Sequence, residues 1–222
     1  MSNTVRVWDL PTRVFHWALV ACVTGLVTTA QLGGNAMVWH FRCGYTVLSL
    51  LLFRMVWGLL GGHWSRFSSF LYSPATVLRY LKGQSAPEHS IGHNPLGSFS
   101  VFALLGFLLL QVASGLISDD EIAAAGPLVK FVPNSWVSNA THYHANIGKL
   151  ILLGLLVLHI GAILFYRFKK GEDLVAPMIR GDKQISIAVD SSRDDGRSRL
   201  LAAAIFLGCA ALVAWTLGQT GS

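Results

Sequence analysis

The run Ile147–Phe168, IGKLILLGLLVLHIGAILFYRF, decides the fold. It is apolar throughout except for Lys149 near its start, the imidazole of His159 and Arg167 near its end. A bilayer span takes about 20 such residues as a helix. Four further runs have the same character: Val14–Leu32, Val38–Leu60, Leu96–Ile117 and Leu200–Leu217. Gly33-Gly34-Asn35, Gly61-Gly62, Gly83 and Gly171 punctuate them as turns or helix stops. The first run is longer than the roughly 7–15-residue core of a signal peptide and lacks a small-residue cleavage site after it, so it reads as a retained helix.

Composition agrees with this pattern. Of the 222 residues, 53% are hydrophobic and 13% charged, against about 25% charged in soluble domains. Such a chain cannot cover itself with polar surface, and its solvent is membrane lipid. The net charge of +6 does not point to nucleic acid, because the basic residues stand in short loops beside the apolar runs. Thirteen of the 17 lysines and arginines fall before the first run, between the second and third, or between the fourth and fifth, counting Arg167 at the very end of the fourth. By the positive-inside bias those segments are cytoplasmic. The N-terminus is then cytoplasmic and the C-terminus periplasmic, in a bacterial inner membrane. Cys22, Cys43 and Cys209 are scattered singly and read as small core residues. Without a C-x-x-C-H motif, covalent haem is excluded.

Two loop segments have an expected structure. Ser73-Pro74 reads as an N-cap and first helical residue of a short helix that closes before Gly83 and suits the cytoplasmic interface. Residues 184–199 are polar, mixed in charge, and read as a surface linker to the fifth span.

Ionisable side chains within membrane segments are costly and each needs a reason. His16 lies near the start of the first run, His40 at the start of the second, and His144 and His159 at the entry and in the far half of the fourth. Fifteen residues of helix separate His144 from His159, a rise of about 22 Å with the two side chains roughly 60° apart around the axis. No single ion can reach both, so a four-histidine zinc site is excluded. Two sites remain, His16 with His159 on the cytoplasmic side and His40 with His144 on the periplasmic side. Pairs of histidines on facing helices, walled by apolar side chains, suit bis-imidazole haem. With both axial positions filled, such a haem carries electrons rather than activating oxygen. His142 competes with His144 but lies about 100° out of phase with His159 on an unbroken helix. The depths of His16 and His159 differ by roughly one turn, which a helix tilt of about 20° absorbs.

Arg54 lies 14 residues after His40 on nearly the same face. It suits either a haem propionate or a snorkelling position at the interface. Arg13, three residues before His16, has the same two readings, as a propionate partner or a topology charge.

Several motifs resemble the bacterial cytochrome b561 family, which includes the b-type subunits of nickel–iron hydrogenases. They are Val7-Trp8-Asp9-Leu10-Pro11-Thr12-Arg13-Val14-Phe15-His16-Trp17, then His40-Phe41-Arg42-Cys43-Gly44-Tyr45 with Phe53-Arg54-Met55-Val56-Trp57-Gly58, then Gly92-His93-Asn94-Pro95-Leu96-Gly97, and His159-Ile160-Gly161-Ala162 with Leu174–Gly181. The resemblance covers roughly residues 5–183. It implies an all-α, polytopic four-helix transmembrane bundle holding two non-covalent b haems, here completed by a fifth C-terminal transmembrane helix. The expected organisation is a di-haem domain at 1–183, a cytoplasmic linker at 184–199, and a last helix with a short periplasmic tail at 200–222. The family pattern supports His16, His40 and His159 as ligands. Its usual spacing lands on Ala145 in place of the remaining histidine, so a local irregularity would be needed for His144 to serve. His93 and Asn94 are candidates for a propionate or quinone contact, or for a structured turn before the third span.

The function this implies is electron transfer across the membrane between the quinone pool and a periplasmic c-type cytochrome or hydrogenase. An oligomer is compatible with it. Asp119, Asp120 and Glu121 offer an acidic patch for a basic partner, or simply cap a helix. Two other readings are a superoxide:quinone oxidoreductase with the same haem ligation, and a haem-free transporter or assembly subunit.

Overall fold

The structure, a computed structural model, describes residues 3–84, 87–122 and 124–220. A short strand β1, Asn3–Arg6, precedes helix α1, Leu10–Leu32. This helix begins four residues before the apolar run because Asp9 caps it. Asp9 Oδ1 accepts from the Thr12 amide at 2.9 Å, and Pro11 suits a first turn, where the missing N–H costs nothing. Gly33 and Gly34, both at positive φ (62° and 51°), turn the chain into α2, Met37–Leu60. Helix α3, Pro74–Leu81, is capped by Ser73 and followed by Gly83 at φ 78°, as the sequence predicts. Helix α4 spans Pro95–Leu116.

The fourth apolar run is longer and less regular than expected. Helix α5, Asn134–His142, passes through a π-turn at Tyr143–Gly148 into α6, Lys149–Phe165, and ends in a second π-turn at Tyr166–Lys170. After the short α7, Val175–Arg180, comes β2, Asp182–Ile185, and then α8, Gly196–Thr220, capped by Asp195 Oδ1 on the Ser198 amide at 2.7 Å. Among the described residues five helices are long and apolar enough to cross a membrane. Of the tail expected after Leu217, residues 218–220 continue α8, and residues 221–222 lie outside the described residues.

The chain divides into two compact units, and helices α1, α2, α4, α6 and α8 each contribute to both. The first comprises Met1–His16, Arg54–Ala103 and Leu158–Ile205. Its organiser is a pairing of the two ends of the unit. β1 and β2 run antiparallel from Asn3 opposite Ile185 to Arg6 opposite Asp182. Val5, Val7, Trp8, Ile91 and Ile185 form a buried core beneath them, with Trp64, Met178, Ile187 and Val189 packed against it. The segment read as a surface linker is thus tied down. Ser192 Oγ donates to Val7 O at 2.8 Å, Trp64 Nε1 donates to Asp190 O at 2.8 Å, and Asp194 meets Arg6 at 3.1 Å and Arg199 at 3.0 Å.

The second unit comprises Trp17–Phe53, Leu104–Val157 and Phe206–Ser222. Segments of α1, α2, α4 and the His144–Leu156 stretch line a largely apolar cavity. The loop after α4 folds back on itself, with the Gly126 amide on Ser118 O at 2.7 Å and the Asp119 amide on Thr141 Oγ1 at 2.9 Å.

Candidate functional site

In the second unit the structure brings His40 and His144 together. Their ring centroids are 6.2 Å apart and the rings are nearly perpendicular, at 85°. Each ring is fixed from behind. His40 Nδ1 donates to Leu26 O at 3.1 Å, with Thr29 Oγ1 at 3.3 Å. His144 Nδ1 donates to Gln111 O at 2.8 Å, with Ser114 Oγ at 3.3 Å. A carbonyl accepts only from a protonated nitrogen, so both rings carry their proton on Nδ1 and keep Nε2 as a base. That is the tautomer a metal-binding imidazole needs, held by a second set of partners.

His40 and His144 both line a cavity whose walls suit a cofactor with a largely apolar surface. The cavity measures about 460 Å³ and is walled mainly by Val23, Leu26, Val27, Leu108, Val112 and Leu152, within the roughly 300–1,000 Å³ usual for small-molecule sites. Glycines open it. A Cβ on Gly115 would stand 2.7 Å from His144 Cε1, so only glycine there lets the ring take its place. Two imidazoles at this separation leave room for one ion bonded at about 2 Å to each. Among the described residues no group of three or more histidine, cysteine or acidic side chains converges as a metal site. His40 and His144 are two imidazole donors in an apolar cavity, and they would fit a group such as haem that brings the rest of its metal's ligands with it.

His144 earns its position through the π-turn. On an unbroken helix the residue 14 before His159 is Ala145, which has no donor. The π-turn at Tyr143–Gly148 holds one residue more than an α-turn, and His144 takes the azimuth that residue 145 would otherwise occupy. His142 instead lines a separate recess with Asp119, Asp120, Glu121, Ser138 and Asn146.

In the first unit His93 lies within electrostatic range of Arg54, His159 and His16, and His16 within range of His159. Arg54 is only 3% exposed. It gives Nη1 to Ser65 O at 2.9 Å and lays its guanidinium over the Phe67 ring at 4.7 Å, so it is enclosed rather than snorkelling. His93 stands between Trp8 and Phe70, at 4.6 and 4.5 Å between centroids, and its Nδ1 is buried without a hydrogen-bond partner. Burial, followed by the charges of Arg54, His159 and His16, pushes His93 down to about 3. Asn94 is occupied within the protein. Its Oδ1 caps α4 on the Gly97 amide at 2.7 Å and its Nδ2 donates to Tyr166 Oη at 2.8 Å. Arg13 donates to Ile179 O at 2.6 Å and lies 3.9 Å from Asp194, while its Nε is buried without a partner.

Two residues that position the sites carry no signal as ligands. Asp9, 0% exposed, accepts from Thr12, Trp57 and Gly62; the Asp-Leu-Pro-Thr sequence identifies it as a cap and nothing more. Gln111 gives its Nε2 to His144 O at 2.9 Å, and only its polarity inside an apolar run marks it.

Comparison with known proteins agrees with these motifs. The model of a family described as prokaryotic cytochrome b561 matches residues 7–181. A protein of Bradyrhizobium diazoefficiens named "Probable Ni/Fe-hydrogenase B-type cytochrome subunit" is 25% identical, over 82% of this chain and 86% of its own length. A protein of the same name from Azotobacter vinelandii is 27% identical, over 81% and 88%. A third, from Cupriavidus necator, is 24% identical, over 79% and 85%. With the matched region running from the buried β1–α1 junction to the glycine that closes α7, this multi-pass membrane protein belongs to the prokaryotic cytochrome b561 family.

Proposed function

We propose that the chain is a di-haem b-type cytochrome that passes electrons across the inner membrane between the quinone pool and a periplasmic hydrogenase or c-type cytochrome. The observation that carries this reading is the His40–His144 pair, 6.2 Å apart, each with Nδ1 on a main-chain carbonyl, in a glycine-opened apolar cavity. His16 and His159 would hold the second haem, and the continuous run from the π-turn at Tyr143–Gly148 into α6 carries one histidine of each pair, His144 in the turn and His159 in the helix. Haem, when bound, supplies a one-electron centre that cycles between ferric and ferrous iron without leaving its site.

The protein's own contribution is to hold and tune. Leu26 O and Gln111 O fix the two imidazoles and raise the basicity of their free nitrogens. The leucine and valine walls keep water out, which lowers the local dielectric and favours the less charged reduced state. Arg54 and Arg13 place positive charge near the first-unit site, where propionates would pair with them. His93 offers its unpartnered Nδ1 to the same group. Asn94 acts as a cap and a Tyr166 partner, one step removed from the cofactor.

A hydrogenase partner is favoured because the relatives carry that name over more than four-fifths of their length. Superoxide oxidation is less well supported, since the recess beside the His40–His144 site is lined by Asp119, Asp120 and Glu121, which repel an anion and suit a basic protein surface. By the positive-inside bias this unit faces the periplasm.

The test is the dithionite-reduced minus oxidised spectrum of the purified chain, with haem per chain, for the parent and for His16→Ala, His40→Ala, His142→Ala, His144→Ala and His159→Ala. Two b haems, one lost or made high-spin in each variant except His142→Ala, are expected. A single haem would break the pairing scheme, and a colourless protein after haem-replete expression would leave a transporter or assembly subunit.

A further inference from the structure

The π-turn at Tyr143–Gly148 decides which residue of the long helix meets His40, and something must hold it. A π-turn is less favourable than the α-turn it replaces. If it relaxed, α5 and the residues up to His144 would rotate by about 100° relative to α6. Ala145, which already lines the cavity beside His144, would then take the place opposite His40, and His144 would turn away from it.

Gln111 grips this turn from α4. Its side-chain Nε2 donates to His144 O at 2.9 Å, and its main-chain carbonyl accepts from His144 Nδ1 at 2.8 Å. One residue thus holds both the backbone and the ring of His144. The first bond meets a need created by the turn, because lengthened hydrogen-bond spacing leaves a main-chain carbonyl without its usual partner. A further observation argues that Gln111 is there for this bond and not for packing. Its Oε1 is buried with no hydrogen-bond partner, close against Gly148, where any Cβ would overlap it. An unmatched buried acceptor is costly, and a leucine would fill the space without it.

We propose that Gln111 is the positioning residue that keeps the π-turn in register and so selects His144 over Ala145 as the residue opposite His40. This rests on the reading of His40 and His144 as a haem axial pair.

The experiment uses the full chain, purified in detergent after haem-replete expression, and compares low-temperature EPR signals and haem per chain in four proteins. They are the parent, His144→Ala, Gln111→Leu, and Gln111→Leu with Ala145 deleted. Deleting Ala145 removes the extra residue, so an unbroken α-helix places His144 where the π-turn places it now. Gln111→Leu is expected to lose one low-spin signal, the same one that His144→Ala loses, while the other haem keeps its g-values. The deletion is expected to restore the lost signal. Two unaltered low-spin signals in Gln111→Leu, with one lost in His144→Ala, would overturn the role of Gln111 and leave the axial pair standing. Two unaltered signals in His144→Ala would overturn the pair and the proposal with it. Loss of both signals in Gln111→Leu, not restored by the deletion, would assign Gln111 to folding as a whole and also overturn its positioning role.

Discussion

The indole N–H of Trp57 lies 3.2 Å from Asp9 Oδ2, and both side chains are almost wholly buried. Asp9 also takes the Thr12 and Gly62 amides at 2.9 Å each, so one carboxylate ties the start of α1 to the end of α2. Removing it strands several buried donors together. Asp9→Ala should cost about 2–4 kcal/mol, the loss of a cap plus unsatisfied buried N–H groups. Asp9→Asn, which keeps an acceptor, should cost about half as much. Thermal unfolding of the detergent-solubilised protein measures both, and an Asp9→Ala variant as stable as the parent would remove this tether from the account.

Gly115→Ala separates cofactor binding from stability. An alanine Cβ would press on His144 Cε1 at 2.7 Å and Nδ1 at 3.1 Å. Within α4 the same change raises helix propensity by about 1 kcal/mol. The expected protein is folded and no less stable, yet has a displaced or missing haem at the His40–His144 site. An unchanged absorption spectrum and haem content would contradict the fit described for this cavity.

Arg54→Leu leaves the buried Ser65 carbonyl without its donor and should cost about 1–3 kcal/mol. Its other consequence should appear in the first-unit haem. Loss of a nearby positive charge favours the ferric state, and a tenfold change in the redox equilibrium corresponds to a midpoint about 60 mV lower. A potentiometric titration that finds both midpoints unmoved would take Arg54 away from the cofactor.

The ion cluster around Asp194 predicts how the β1–β2 pairing responds to acid. Burial alone would raise the Asp194 carboxyl, but the Arg199 hydrogen bond, the Leu10 amide and Arg6 together hold it below the usual carboxylate range. A depressed carboxyl contributes stability that is present above its unfolded value, about 4, and is lost as pH falls through the folded value. The segment from β2 to α8 should therefore resist pepsin at pH 4 and become cleavable as the pH falls toward 2. In Asp194→Asn cleavage should be nearly independent of pH over that range. A parent protein cleaved equally at both ends of it would show that the cluster does not fasten the segment.

The five spans were legible because about 20 apolar residues in a row leave few alternatives to a membrane helix. The pairing of His40 with His144 in one unit, and the common unit of His16 and His159, were also legible, from helical rise alone. What escaped was everything set by contacts distant in sequence. The pairing of Arg6 with Asp182 links residues on opposite sides of four spans, and no local pattern in residues 182–185 marks a strand. The need for an irregularity at His144 was legible from the family spacing, but its form as a π-turn was not. Nothing in Tyr-His-Ala-Asn-Ile-Gly forbids an ordinary α-turn, and the lengthened turn is explained only by the tertiary bond from Gln111. The early start of α1 at Leu10 was local and readable, but the apolar run drew attention to Val14 and away from the Asp9 cap.

The union of β1 with β2 also sets an order of assembly. Arg6 emerges first and its partners Asp182 and Asp194 emerge after four spans have been made. At the usual 5–20 residues per second, the N-terminal strand waits roughly 10–40 s for them. Throughout that interval His16 and Arg54 are already synthesised while β2 and the residues after it are not. The strand pairing therefore cannot close until the fourth span has been made, and the fifth span, α8, is still to follow it.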